Sequence, residues 1–176
     1  MSVNWDDYKP FDPGVSRPLH ELTMREARAA FQRLMAAKSE RIEELRRLLE
    51  NNGVELSSSA DGLQAINDWF RGEVEGNPAQ SRLHPIWYAV VNDIGLFLGD
   101  VMIERNPRLK WVMFDKGKRD IAFQRHVITG FEGVANPKYN VDPDMLVATY
   151  GHRIIAGEGV QTDAFVTWVD AATASA

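Results

Sequence analysis

Three carboxylates carry the clearest chemical signal in the chain. Asp93, Asp100 and Glu104 lie in one apolar stretch. At about 100° per residue they fall within about 40° of one another on a helix, with Phe97 between them. Stacked acids of this kind can hold Mg²⁺ or Ca²⁺, or do acid–base work. The competing reading is that they face water or pair with arginine, because an unpaired buried acid is costly. Arg41 and Arg105 are the candidate counterions. That second reading is favoured, so no metal and no cofactor is expected.

Other chemistries find less support. The histidines stand at 20, 84, 126 and 152, and His20-Glu21 lacks the second His of a zinc-protease helix. His126 and His152 would need the fold to bring them together. Gly157-Glu158-Gly159 lacks the third glycine of a dinucleotide loop, and Gly117-Lys118 lacks the rest of a phosphate-binding loop. Ser57-Ser58-Ser59 has no base paired with it and reads as a helix cap, and no G-x-S-x-G is present.

Binding is better represented than catalysis. Residues 105–126 hold seven Arg and Lys against two Asp, although the chain has a net charge of −5. This segment, with Lys116, Lys118 and Arg119 at its turn, can touch phosphate or an acidic partner. Trp111 and Phe114 interleave with its lysines as in single-strand binders, but strand alternation sends at least one of them inward. Composition argues against a nucleic-acid binder, which is usually basic over a whole face. A second candidate surface is the arm of residues 1–22, which carries Trp5, Tyr8 and Phe11 among Pro10, Pro13 and Pro18. Aromatics are costly to leave wet, so the arm docks either on the chain's own body or on a second subunit.

These residues must be positioned by elements that the sequence punctuates. Proline keeps the arm irregular. Thr23 and Glu26 form a capping box that opens a first helix along Ala27, Phe31, Leu34, Ile42, Leu45 and Leu49. Lys38 falls on that apolar stripe beside Ser39, where a kink or break is expected; Asn51-Asn52-Gly53 ends the helix. Ser57 to Ser59 with Asp61 cap a short helix bearing Leu63, Ile66, Trp69 and Phe70. Pro85 to Arg105 is apolar on most sides and reads as a buried central helix. Its Gly95 and Gly99 suit a site where another backbone approaches closely.

The period then changes from helical to two. Lys110–Phe114 and Arg125–Phe131 read as strands around a turn at 115–120. Asp142-Pro143-Asp144 starts a further helix, and Thr162-Asp163 caps the last one. The expected fold class is α+β, mainly α: N-terminal helices and a buried central helix, packed with a small antiparallel hairpin or sheet, then C-terminal helices. The expected organisation is an irregular arm, 1–22, and a single globular domain, 23–176.

With 176 residues and 44% hydrophobic content, the chain has material for a core and is not a disordered polypeptide. It contains no Cys, which removes thiolate and disulfide chemistry and suits a reducing compartment. Asn92, Asp93 and Asp100 interrupt the one long greasy stretch, and the acidic start lacks a basic leader. The expectation is a cytoplasmic protein with no membrane partner.

One set of residues invites comparison with a known group. Leu22-Thr23-x-x-Glu26-Ala27 and Phe31 are followed by Glu40-Arg41-Ile42 and Leu45, then Trp69-Phe70. Gly99-Asp100, Asn106-Pro107, Trp111 and Gly130-Phe131 complete the pattern. Over about residues 22–155 this resembles a group of small uncharacterised bacterial cytoplasmic proteins. Ser39 departs from the group, which has a proline there that would split the first helix in two. The resemblance implies a bacterial α+β domain and assigns no catalytic residue. Genes for such proteins sometimes lie near toxin or secretion loci, which implies an immunity or accessory role. The leading expectation is therefore a non-enzymatic protein-interaction module with a protein partner or self-association. An enzyme or cation-binding protein using Asp93, Asp100 and Glu104 is the alternative, and nucleic-acid contact through 105–126 is weaker.

Overall fold

Helix caps set the frame of the molecule. The computed structural model describes residues 2–175; Met1 and Ala176, the outer ends of the expected arm and domain, lie outside the described residues. Thr23 accepts from the Glu26 amide, and the Glu26 carboxylate accepts from the Thr23 amide, so the capping box opens α1, Met24–Asn51. The expected break at Lys38–Ser39 does not occur: α1 runs unbroken for 28 residues. The lysine is tolerated on the stripe because its ammonium reaches Asp100 at 2.6 Å. The proline-split arrangement implied by the resemblance is absent for the same segment.

Ser59 alone caps α2, Ala60–Glu73, by accepting from the Gly62 amide. A two-residue hairpin follows, β1 Gly76–Asn77 against β2 Arg82–Leu83, which no periodicity announced because two residues are too few to show one. Pro85 opens α3, Pro85–Arg105, and Asn106-Pro107 closes it. An antiparallel pair, β3 Lys110–Met113 with β4 His126–Thr129, forms the second sheet. Asp142 caps α4, Pro143–Ile155, through the Met145 amide. The last helix is α5, Ala164–Ala174, where Asp163 stands at the cap without a side-chain hydrogen bond. The architecture is α+β and mainly α, with two small antiparallel sheets.

The central helix is where the layers meet. Helices α1, α4 and α5 all pack on α3, and its Val90, Ile94, Leu96, Leu98 and Met102 are fully buried. By length and composition alone α3 could cross a membrane, and two thirds of its most apolar stretch is packed inside the fold. The expected close approaches to its glycines are real but of two kinds. A Cβ on Gly95 would meet the backbone of Pro143 and Asp144 at 2.9–3.3 Å, whereas on Gly99 it would lie 2.1 Å from the Trp111 ring. Gly99 therefore accommodates a side chain rather than a backbone.

Around Trp87, fully buried, an aromatic cluster ties the elements together. Trp5 of the arm packs edge-on at 5.3 Å, with Trp69 at 5.5 Å and Phe70 at 5.8 Å. Phe70 passes the cluster on to Tyr150 and Phe165. Such contacts bury large areas and favour offset-stacked or edge-on geometries; the rings here meet tilted or edge-on, except Phe70 and Tyr150, which stack.

Candidate functional site

The acidic line does not form one site. Asp93 is fully buried and receives Arg41 in a fork, Nε to Oδ1 at 3.0 Å and Nη2 to Oδ2 at 2.6 Å. The Tyr8 hydroxyl donates to the same carboxylate at 2.6 Å, and Arg41 also donates to the Lys9 carbonyl at 2.7 Å. Burial pushes the Asp93 carboxyl upward, while Arg41 and Tyr8 pull the other way. The Tyr8 hydroxyl is likewise pushed up, by burial and then by Asp93. Asp100 accepts from Lys38 and, at 2.9 Å, from Trp111 Nε1. Glu104 is exposed and joins neither.

Of the two expected counterions, Arg41 serves Asp93. Arg105 instead pairs with Asp170 at 2.8 Å and donates to the Ser58 carbonyl. Among the described residues no group of three or more His, Asp or Glu is placed to hold a metal ion. These acids fasten elements together: Asp93 holds the arm and α1 to α3, and Asp100 holds α1 and β3 to it.

The arm docks on the chain's own body, and its three aromatics divide. Trp5 and Tyr8 are consumed by the Trp87 cluster and the Asp93 network, so they are fastening residues. Phe11 lines a cleft of about 600 Å³ between the arm, α1, the start of α3 and β4. Alanines at 27, 30 and 89 leave this space open on the helical walls. Tyr88 and Asn92 of α3, with Gln124 and His126, bring the polar groups.

No spacing in the sequence marks His126, and only strand pairing places it there. The register sets His126 opposite Met113 and Ile128 opposite Trp111, on the sheet face that carries Trp111 toward α3. Its Nε2 is buried without a hydrogen-bond partner among the described residues. Burial pushes its pKa down, against Asp144 and Asp142, so the ring is neutral near pH 7. His152 does not join it in a hydrogen bond; it meets Tyr88, with 3.1 Å between the hydroxyl and Nε2.

The basic segment separates into paired and free cations. Arg108 holds Glu132, and Arg125 forks onto Asp142 and Asp144, the opening of α4. Lys110, Lys116, Lys118 and Arg119 have no salt-bridge partner among the described residues, and all four are exposed. Both interleaved aromatics are withdrawn: Phe114 is buried and Trp111 is held by Asp100. The turn itself is anchored. Phe114, Ala122 and Val127 make a small core beneath it, and Asp120 accepts from the Ala122 amide. Ile121 stands out of this base 79% exposed, against 37–41% for Met24, Tyr139 and Tyr88. It borders a groove of about 480 Å³ shared with Tyr139, Leu146 and Trp168.

Comparison with protein-family models, with curated proteins and with solved structures finds no match to this chain.

Proposed function

We propose that this chain is a non-enzymatic protein-interaction module, of accessory or immunity type, that binds an acidic partner through the turn between β3 and β4. The observation that carries this reading is Ile121, 79% exposed on an anchored turn beside Lys116, Lys118 and Arg119, which have no salt-bridge partner among the described residues. An apolar residue flanked by free cations is the anatomy of a small interface: an anchor for a partner's apolar pocket and a charged rim for orientation. The groove with Tyr139, Leu146 and Trp168 extends the apolar part. A non-catalytic role is supported by the fate of the withdrawn charges, since buried Asp93 and half-buried Asp100 and Arg125 all close on partners within the fold. A bacterial cytoplasmic setting belongs to the same reading, supported by a cysteine-free chain and by the resemblance described above.

The test is a pull-down with the full chain from a lysate of the source organism, comparing wild type with Ile121→Asp and with Lys116→Glu/Lys118→Glu. The expected result is one stoichiometric protein, lost with either variant, whose retention by wild type weakens as salt rises. Retention by both variants would remove the turn from the interface. Capture of any polyanion to the same degree would replace the protein partner with a nucleic acid.

A further inference from the structure

The arm lies along α1 in the opposite direction, and its fastenings follow one another down the helix. The Asn4 amide donates to Asn52 Oδ1 at 2.9 Å, at the far end of α1. Trp5 seats on Trp87, and the Tyr8 hydroxyl reaches the Asp93–Arg41 pair. Glu44 accepts from the Lys9 amide and Arg41 donates to the Lys9 carbonyl, both at 2.7 Å. Arg17 pairs with Glu26 at 3.0 Å, and Gln124 holds the root by donating to the Leu19 and Leu22 carbonyls. A groove reads an extended segment in this way: two aromatic anchors, with a main-chain donor and acceptor caught between side chains.

The arm is held as a ligand is held, not as part of the core. None of residues 2–17 is buried, and the only backbone–backbone bond they make among the described residues is internal, Tyr8 amide to Trp5 carbonyl. Few buried contacts and no ladder mark a segment that opens locally while the rest stays folded. Between Lys9 and Arg17 the arm is also drawn out. The eight steps from one to the other reach at most about 28 Å, and their partners Glu44 and Glu26 lie eighteen residues apart on α1, about 27 Å. Beneath this stretch is the cleft of about 600 Å³, so the middle of the arm is a span over open space. Holding a chain straight costs conformational entropy, which offsets part of what the contacts gain.

We propose that the arm is a releasable strap, a ligand bound in cis, and that the arm of a second copy takes its place in the same groove. Every copy carries the same Trp5, Tyr8 and Lys9, so exchange remakes each contact in trans and relieves the drawn-out linker. A short tether gives the cis arm an effective concentration of about 1 mM. Exchange therefore sets in as the chain approaches that concentration, or when the cis arm is kept away. The β3–β4 turn takes no part in it.

Deleting Gly14, Val15 and Ser16 keeps the cis arm away, because the five remaining steps reach about 17 Å, roughly 10 Å short of the span. The probe is a synthetic peptide of residues 2–11, titrated into wild type and into the deletion variant. The variant is expected to stay folded and to bind the peptide saturably, at least about tenfold more tightly than wild type, whose own arm competes. The same peptide carrying Tyr8→Phe is expected to bind about tenfold more weakly, having lost its bond to a charged acceptor. Above the peptide's Kd the variant is expected to form dimers by light scattering, and added peptide to dissolve them. In wild type, the Lys9 amide is expected to exchange its hydrogen at least about a hundredfold faster than the Leu98 amide of α3. A variant that unfolds, equal peptide affinities in variant and wild type, or a Tyr8→Phe peptide that binds as well would overturn the strap, as would Lys9 exchanging at the rate of Leu98. A variant that binds peptide yet stays monomeric at about ten times the Kd would overturn the second copy as occupant.

Discussion

Removing the Asp93 carboxylate is the sharpest perturbation of this fold. In Asp93→Ala, the Arg41 guanidinium stays buried at 6% exposure and keeps only its bond to the Lys9 carbonyl and a long one to Tyr8. Two charge-assisted bonds of 2.6 and 3.0 Å disappear, and the Tyr8 hydroxyl loses its 2.6 Å acceptor. Breaking one side of a buried pair costs about 3–5 kcal/mol, because the remaining charge is uncompensated. Against a total stability of about 5–15 kcal/mol, that is a large share. In urea unfolding, a loss of about 4 kcal/mol with a slope of about 2 kcal/mol/M lowers the midpoint by about 2 M. The apolar pair Arg41→Met/Asp93→Leu is expected to recover most of this, since the desolvation cost of both ions is removed together. Tyr8→Phe removes only the hydroxyl and is expected to cost about 1.5–3 kcal/mol. A loss below about 1 kcal/mol in Asp93→Ala, or a double variant as unstable as the single one, would refute the pair as the anchor of the arm.

Further expectations follow from other particular sites. Gly99→Ala is expected to cost about 1–3 kcal/mol, because its Cβ would lie 2.1 Å from Trp111. Gly72→Ala in α2 meets nothing within 4 Å and is expected to stabilise by about 0.5–1 kcal/mol; thermal unfolding of the two variants compares them directly. His126, held neutral by burial, binds fewer protons folded than unfolded. Its contribution to stability is therefore present above the unfolded pKa near 6.5 and is lost as pH falls below it, by at most about 1.4 kcal/mol per pH unit. His126→Phe is expected to flatten that part of the stability–pH curve, and an unchanged slope between pH 6.5 and 5 would contradict it. Ile121→Asp is expected to leave stability within about 0.5 kcal/mol of wild type, as checked by urea unfolding.

Much of the frame is readable without coordinates because its signals are local. A capping box needs only Thr23 and Glu26, three residues apart, and Asp142-Pro143 announces α4 by the same short-range chemistry. The apolar circumference of α3 identifies it as the central helix. The expected break in α1 does not form because Lys38, set on the apolar stripe by helix periodicity, has its counterion Asp100 62 residues away. The same distance effect governs the site. The spacing of Asp93, Asp100 and Glu104 suggested a shared face, but Arg41 and Lys38 of α1 divide it into separate ion pairs.

Residue types and spacing alone determined most helix ends, the β3–β4 pairing and the α+β class, since these depend on contacts within a few turns of chain; the β1–β2 hairpin and the continuity of α1 lay outside them. Tertiary structure decided which charges are spent inside and which remain free. It also decided that the arm's Trp5 and Tyr8 serve the core while Phe11 borders a cleft, and that the His126 Nε2 is buried with no hydrogen-bond partner among the described residues. Burial and desolvation set those outcomes, and both depend on chain segments that meet only after folding.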